Sequence, residues 1–305
     1  MKYVIVTGAT GFIGGAVVRD LICHDYHVIA IVRPESKNLS RIQGLEQVTI
    51  LTHPLEQISD LVIQLKVYEP IYFFHIAWDG VSGENHTNPM VQLKNIETAI
   101  NCVKIAKEIG CKRFIGAGSI HEIEGEKELS VKGPVVNGRD YYKVAKRTAR
   151  DFCRLEASLC GLDFLWPQLT NTYGEGEFSD RLINATIRKL QVGQEPSFTK
   201  GDQLYDFIYI TDVARAYRYI AEKGKSFENY KISSGNIQPL KNYLMELGRT
   251  VNEKVRLNFG SAGNGVYLDK KDLYNDFLSR DTNFLPKVSF AEGIKKTMEW
   301  LEQRV

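Results

Sequence analysis

The stretch "VTGATGFIGG", residues 6–15, follows a short apolar run, "YVIVT" at residues 3–7, and sets Gly8, Gly11 and Gly14 at a G-x-x-G-x-x-G spacing. Glycines so placed let the backbone turn sharply, approach a pyrophosphate and pack a helix closely on the strand before it. The helix start beyond them adds unpaired N–H groups and a partial positive charge. The chain must therefore begin strand, tight turn, helix. A dinucleotide is the expected occupant, held by Gly8, Thr10, Gly11, Phe12, Ile13 and Gly14.

The same rhythm continues through the first half. Apolar runs recur as "HVIAIV" (27–32), "VTIL" (48–51), "IYFFHIA" (71–77), "RFIGAG" (113–118) and "DFLWPQL" (163–169), with helical segments between them. In residues 90–110 the apolar positions Val91, Ile96, Ile100, Val103 and Ala106 recur near the 3.6 period, and Gly110 marks a stop. Strands alternating with helices predict an α/β fold of Rossmann type, a doubly wound parallel sheet, over residues 1–174. Beyond it the pattern loosens into a helix near 179–192, a strand "DFIYI" (206–210), a helix from Thr211 and a last amphipathic helix at 290–303. That predicts a smaller C-terminal α/β substrate lobe, residues 175–305, with some exchange of chain between the two parts.

Charge narrows the partner class. Lys+Arg 39 against Asp+Glu 37 leaves a net charge of +2 without a basic block, so a small ligand is expected and a nucleic acid or a membrane is not. Five cysteines, Cys23, Cys102, Cys111, Cys153 and Cys160, form no C-x-x-C pair and suit reduced thiols. With no signal pattern at its start and no apolar run near 18 residues, the chain reads as cytoplasmic. No histidine or cysteine pair has metal-ligand spacing; His24 and His27 read as surface residues.

Acid–base chemistry is harder to place. Tyr-x-x-x-Lys, which sets a phenol and an ammonium on one helix face, occurs as Tyr142/Lys146, Tyr219/Lys223 and Tyr267/Lys271. Tyr141, beside Tyr142, is four residues from Ala145 instead. Spacing alone does not choose among the three pairs.

Taken in order, "TGATGFIGG", "FFHIAWDG", "RFIGAGS", "YYKVAK", "PQLTNTYGEGE", "DFIYITDVARA" and "PKVSFAEGIKKTMEW" resemble the extended short-chain dehydrogenase/reductases, in their nucleotide-sugar epimerase, dehydratase and reductase branch. The resemblance runs nearly end to end. It implies a catalytic group of Ser119, Tyr142 and Lys146: Ser119 holds a substrate oxygen, Tyr142 transfers the proton, and Lys146 also bonds the nicotinamide ribose. Physically, a phenol of pKa about 10 must exchange a proton near pH 7, a shift of roughly 4 kcal/mol. An ammonium about 4 Å away, at an effective dielectric of about 20, supplies approximately that. The segment of His75 and Ala77 lines the cofactor cleft by the same resemblance, with the His75 side chain read as a buried structural group. Asn95 matches an asparagine frequent in the family's fourth helix.

Several positions depart from the family pattern. Dehydratases of the family carry an Asp-Glu pair after the hydroxyl residue, whereas Ile120 and His121 follow Ser119, with Glu122 one step later. The usual "VYG" loop ending reads Ile123-Glu124-Gly125. Gln168 stands where an arginine is usual, and Tyr205 where another precedes "DF"; either Arg181, Arg188 or Lys200 is the alternative cation for a diphosphate, or the substrate is not a standard nucleoside diphosphate sugar. Asn171 matches the residue contacting the phosphates of a nucleotide sugar, so Ser119, Asn171 and Tyr205 form the expected substrate set. Thr211 or Asp212 reads as a helix cap.

Cofactor choice follows from "VRPESKN" after the second strand. NAD-using members of this fold present an acid there. This chain presents Arg33, Ser36 and Lys37, with Glu35 turned away by Pro34, which favours NADP(H) over NAD(H). The expected activity is an NADPH-dependent reduction of a 4-keto nucleotide sugar, with an NAD-dependent 4-epimerase as the alternative and a non-catalytic dinucleotide sensor as the reading from another class. A homodimer is expected through helices 90–110 and 141–160.

Overall fold

The structure, a computed structural model, describes residues 2–130, 138, 140–177, 179–251, 256–260 and 267–303. Six strands form one parallel sheet: β1 (Lys2–Thr7), β2 (Tyr26–Val32), β3 (Val48–Thr52), β4 (Tyr72–His75), β5 (Arg113–Gly116) and, after a two-residue strand β6 (Gly118–Ser119), β7 (Asp163–Leu165). Their order is β3-β2-β1-β4-β5-β7. Val4, Ile5 and Val6 in β1 and Val28, Ile29 and Ala30 in β2 are all fully buried, as strands covered on both faces must be. The order reverses between β1 and β4, whose last residues, Thr7 and His75, lie opposite each other. Ligands of such sheets bind at the carboxyl ends of the strands beside this reversal.

The helices of this region are α1 (Phe12–Ile22), α2 (Val62–Lys66), α3 (Pro89–Glu108), α4 (His121–Leu129) and α5 (Asp140–Cys160). Asn88 starts α3, its side chain accepting from the backbone of Met90 and Val91, with Pro89 in the first turn. Helix α5 packs against α3. Ala145, Ala149, Cys153 and Ala157, four residues apart and all buried, give α5 a smooth face where a neighbouring helix fits closely. The segment after Ser119, expected as a loop, is the helix α4. It packs on α5 through Gly125, where a Cβ would stand 2.7 Å from the Lys143 Cβ.

The chain divides into two compact units. The first is Met1–Gln168 with Ala214–Tyr230 and Phe277–Phe284; the second is Leu169–Val213 with Lys231–Asp276 and Leu285–Val305. In the second, Tyr173, Phe207, Tyr243 and Phe290 form an aromatic core with ring centroids 4.7–6.2 Å apart. Its buried Asp206 accepts hydrogen bonds from Thr170 Oγ1 at 2.6 Å and Ser234 N at 2.9 Å. Asp212 is not a helix cap: the helix there starts at Ile210. The Asp212 carboxylate instead accepts from the backbone N–H groups of Lys287 and Val288, each at 2.8 Å. Sequence spacing gave no sign of a partner so distant along the chain. Among the described residues no helix is long and apolar enough to cross a membrane.

Candidate active site

The glycine loop forms a cradle that side chains would fill. Gly8 has φ +72°, and a Cβ on it would lie 2.6 Å from Ala77 N; a Cβ on Gly14 would lie 2.1 Å from Gly8 O. Gly11 starts α1 without a side-chain cap, and the first turn of α1 carries no acidic residue. Main-chain donors and space at a helix start fit a dinucleotide's pyrophosphate. Thr10 anchors the neighbouring segment, its hydroxyl accepting from Ser36 Oγ at 2.9 Å and its carbonyl from Arg41 Nη1 at 3.2 Å. Arg33 and Lys37 are exposed. Arg41, brought to the loop by a short turn at Leu39–Arg41, carries no local sequence signal, because it lies well past the end of β2.

At the strand reversal, Thr7 Oγ1 meets His75 Nδ1 at 3.0 Å. Burial, with Lys146 adding to it, pulls the imidazole down to about 3, so His75 is neutral at ordinary pH. The side chain is a buried structural group, and it is the following residues that shape the rim. Asn95 grips Asp79 twice, accepting from its N–H at 3.0 Å and donating to its carbonyl at 2.8 Å. Trp78 donates its indole N–H to Gln92 at 2.9 Å.

Tyr142 and Lys146 both face inward on α5, while Tyr141 is 49% exposed. Lys146 Nζ donates to Ala117 O at 2.9 Å and lies 3.8 Å from the centre of the Trp78 ring. Burial pulls this ammonium down to about 7, with Glu122 opposing the drop. The Tyr142 ring has aromatic neighbours on several sides: His86 stacked at 4.7 Å, His121 edge-on at 5.9 Å and Trp78 edge-on at 6.2 Å. His121 also ties the tyrosine to the serine, since its backbone N–H donates to Ser119 Oγ at 3.2 Å. Shared neighbours thus bring Ser119, Tyr142 and Lys146 into one cluster.

Glu122, 1% exposed, completes it. Oε1 accepts from Ser119 N at 2.8 Å and Trp166 Nε1 at 3.1 Å; Oε2 accepts from Arg150 Nη1 at 2.9 Å and Gln168 Nε2 at 3.2 Å. Burial pushes this carboxyl up, against Arg150 and the neutral donors. Each of these recorded contacts comes from a donor, the arrangement an ionised carboxyl accepts. Gln168, in the family's arginine position, is thereby accounted for: it belongs to this buried network. Trp78, His86 and Arg150 were not singled out in the sequence, because their roles arise only when separate elements meet.

In the second unit, Asn171 donates from Nδ2 to Asp206 O at 3.2 Å, and the half-buried Tyr205 ring lies 5.5 Å from Phe207. Arg181 pairs with Glu177 at 3.5 Å and Arg188 with Asp180 at 2.6 Å, while Lys200 is exposed.

Comparison with known proteins places the chain among nucleotide-sugar enzymes by similarity. Among curated relatives, the dTDP-glucose 4,6-dehydratase of Salmonella typhimurium is 24% identical, covering 97% of this chain and 92% of the relative. The dTDP-6-deoxy-L-talose 4-dehydrogenase (NAD(+)) of Aggregatibacter actinomycetemcomitans is 27% identical, covering 69% of this chain and 77% of the relative. Among solved structures, a UDP-glucose 4-epimerase of Thermotoga maritima, with UDP-glucose, matches with a TM-score of 0.82 at 23% identity over 99% of both chains. The family model of NAD dependent epimerases and dehydratases matches residues 4–233, and the chain belongs to the NAD dependent epimerase/dehydratase family.

Proposed function

We propose that this enzyme reduces the 4-keto group of a nucleotide-linked sugar, using a nicotinamide dinucleotide held at the glycine loop. The observation that carries this reading is the makeup of the catalytic cluster. A phenol, an ammonium and a hydroxyl stand together, and the Asp-Glu pair of the family's dehydratases is absent after Ser119. Ile120 is buried, His121 is hydrogen-bonded to Glu124, and the Glu122 carboxylate is held by four donors. Dehydration needs a group to protonate the leaving hydroxyl and another to take the neighbouring proton; redox chemistry at a carbonyl needs neither. When bound, the reduced nicotinamide supplies hydride. Tyr142 gives the oxygen its proton, Ser119 orients that oxygen, and Lys146 binds the nicotinamide ribose and sets the acidity of the phenol. Asn171 takes the phosphates of the substrate.

Cofactor preference separates net reduction from epimerisation. Ser36 and Arg41 at Thr10, with Arg33 and Lys37 on the exposed segment before them, form a set of donors suited to a 2′-phosphate. One or two charge-assisted bonds, about 1.5–3 kcal/mol each, favour NADPH by roughly tenfold to a thousandfold or more. The family's NAD dependence supports the second reading, a 4-epimerase that recycles NAD. Titrating NADPH and NADH into the wild type and Arg33→Ala tests the two. NADPH is expected to bind tighter and to weaken about tenfold in the variant; tighter NADH with no loss in Arg33→Ala returns the protein to the epimerases. Turnover of nucleoside-diphosphate 4-keto sugars against their 4-hydroxy forms then reads the reaction itself.

We also propose a homodimer. On the face of α5 away from the sheet, Tyr141, Val144, Phe152, Leu155 and Leu159 are exposed, as are Met90 and Leu93 on α3. Along α5, Tyr141/Val144 and Phe152/Leu155/Leu159 each follow the three-four spacing of a helix–helix seam. Symmetric pairing of α3 and α5 from two copies buries this stripe. Light scattering is expected to return twice the chain mass for the wild type and a single chain mass for Leu155→Glu/Leu159→Glu. A monomeric wild type at working concentration removes the proposal.

A further inference from the structure

Two buried charges grip the short segment that carries Ser119. On one side Lys146 Nζ donates to Ala117 O at 2.9 Å; on the other, Glu122 Oε1 accepts from Ser119 N at 2.8 Å. Both side chains are nearly inaccessible, Lys146 at 4% and Glu122 at 1% exposure. An isolated buried ammonium is strongly disfavoured against its neutral amine. We propose that Glu122 is a positioning residue of the catalytic cluster: its carboxylate fixes the backbone of Ser119 and is the buried counter-charge that keeps Lys146 an ammonium.

The charged and titratable surroundings are consistent with that role. Lys146 is faced by Glu122, by Cys153 from its own helix, by His75 from β4 and by the Trp78 ring. His75 is neutral, and burial holds the Cys153 thiol far above its usual range, so it too is uncharged. Glu122 is therefore the negative charge among them. Glu122 itself is faced by Arg150 from α5 and by Tyr217, a fully buried residue of the helix Ile210–Lys223. Arg150 is 25% exposed, so water screens its attraction for Glu122, whereas no comparable screening reaches Lys146. Glu122 is also unsuited to giving a proton. As placed, its four recorded partners all donate, the arrangement that suits an acceptor.

The inference rests on the reading that Ser119, Tyr142 and Lys146 do the proton chemistry, yet its test does not depend on substrate. The measurement is the pH titration of the Lys146 Cε–Hε resonance in ¹³C-lysine-labelled protein, assigned with Lys146→Arg, in wild type, Glu122→Gln and Arg150→Met. A midpoint near 7 is expected in the wild type. Glu122→Gln should lower it by about one pH unit or more, the usual effect of losing a nearby opposite charge. Arg150→Met should raise it, because Glu122 then acts on Lys146 alone. Opposite shifts support the counter-charge; no shift, or shifts of one sign in both variants, overturns it. Should Glu122→Gln fail to fold, Glu122→Gln/Arg150→Met, which removes both charges, is compared with Arg150→Met and should still titrate lower by about one pH unit; equal midpoints overturn the proposal. Opposite shifts in a wild type that reduces no nucleotide-linked 4-keto sugar would retain the role of Glu122 and discard the proposed reaction.

Discussion

Tyr142→Phe is expected to lower turnover by at least ~100-fold, the usual range for losing a general acid or base, while dinucleotide affinity stays nearly unchanged. The surroundings make this a clean deletion of one hydroxyl. The ring is 8% exposed and is held by the stacked His86 and the edges of Trp78 and His121. A phenylalanine ring keeps those contacts, so neither the helix nor Lys146 four residues on has cause to move. The proposed pyrophosphate cradle of Gly8, Gly11 and Gly14 is not touched by the substitution. Tyr141→Phe is the control. Its side chain is half-exposed, so the variant should keep nearly full activity. Steady-state turnover alongside cofactor titration by fluorescence reads both. An inactive Tyr141→Phe with an active Tyr142→Phe would reverse the assignment of the two tyrosines.

The fold was legible because its signals are local. Alternating apolar runs and amphipathic segments place all six strands of the sheet within a few residues of their observed bounds, and the glycine spacing fixes where the first strand turns into the first helix. The site was legible only in part. Tyr142 and Lys146 share a helix face, which four-residue spacing encodes directly. Glu122 and Arg150 lie 28 positions apart, and Glu122 and Trp166 lie 44 apart. Nothing in either neighbourhood marks such a partner until α4, α5 and the end of β7 come together. Ile123–Gly125 read as a loop because the comparison was with a shorter family segment, yet "HEIEGEKEL" forms a helix, with Glu122 and Glu124 in its favourable first turn. The contact of Arg41 with the glycine loop was not legible for a related reason: the strand end points to residues next to it, whereas the turn at Leu39–Arg41 carries a later arginine back to Thr10.

Gly14→Ala is expected to destabilise the protein by about 3 kcal/mol or more and to weaken dinucleotide binding at least about tenfold, whereas Gly15→Ala next to it is tolerated. Both glycines are buried in α1, and helix propensity alone favours alanine at each by about 1 kcal/mol. Space decides between them. A Cβ at Gly14 would lie 2.1 Å from Gly8 O and 2.7 Å from Gly8 C, both backbone atoms. Gly8 cannot retreat, because it is held in a left-handed conformation at φ +72° with Ala77 N pressed against the other side. The strain must therefore move α1 away from β1, and with it the helix start whose N–H groups are the proposed seat of the pyrophosphate. A Cβ at Gly15 would instead meet Ala9 O at 3.4 Å and the Arg41 side chain at 3.8 Å, which is ordinary contact. Denaturant unfolding and cofactor titration of the two variants measure the difference. Equal stability and equal cofactor affinity in Gly14→Ala and Gly15→Ala would show that the close approach of α1 to Gly8 is not what shapes the dinucleotide site.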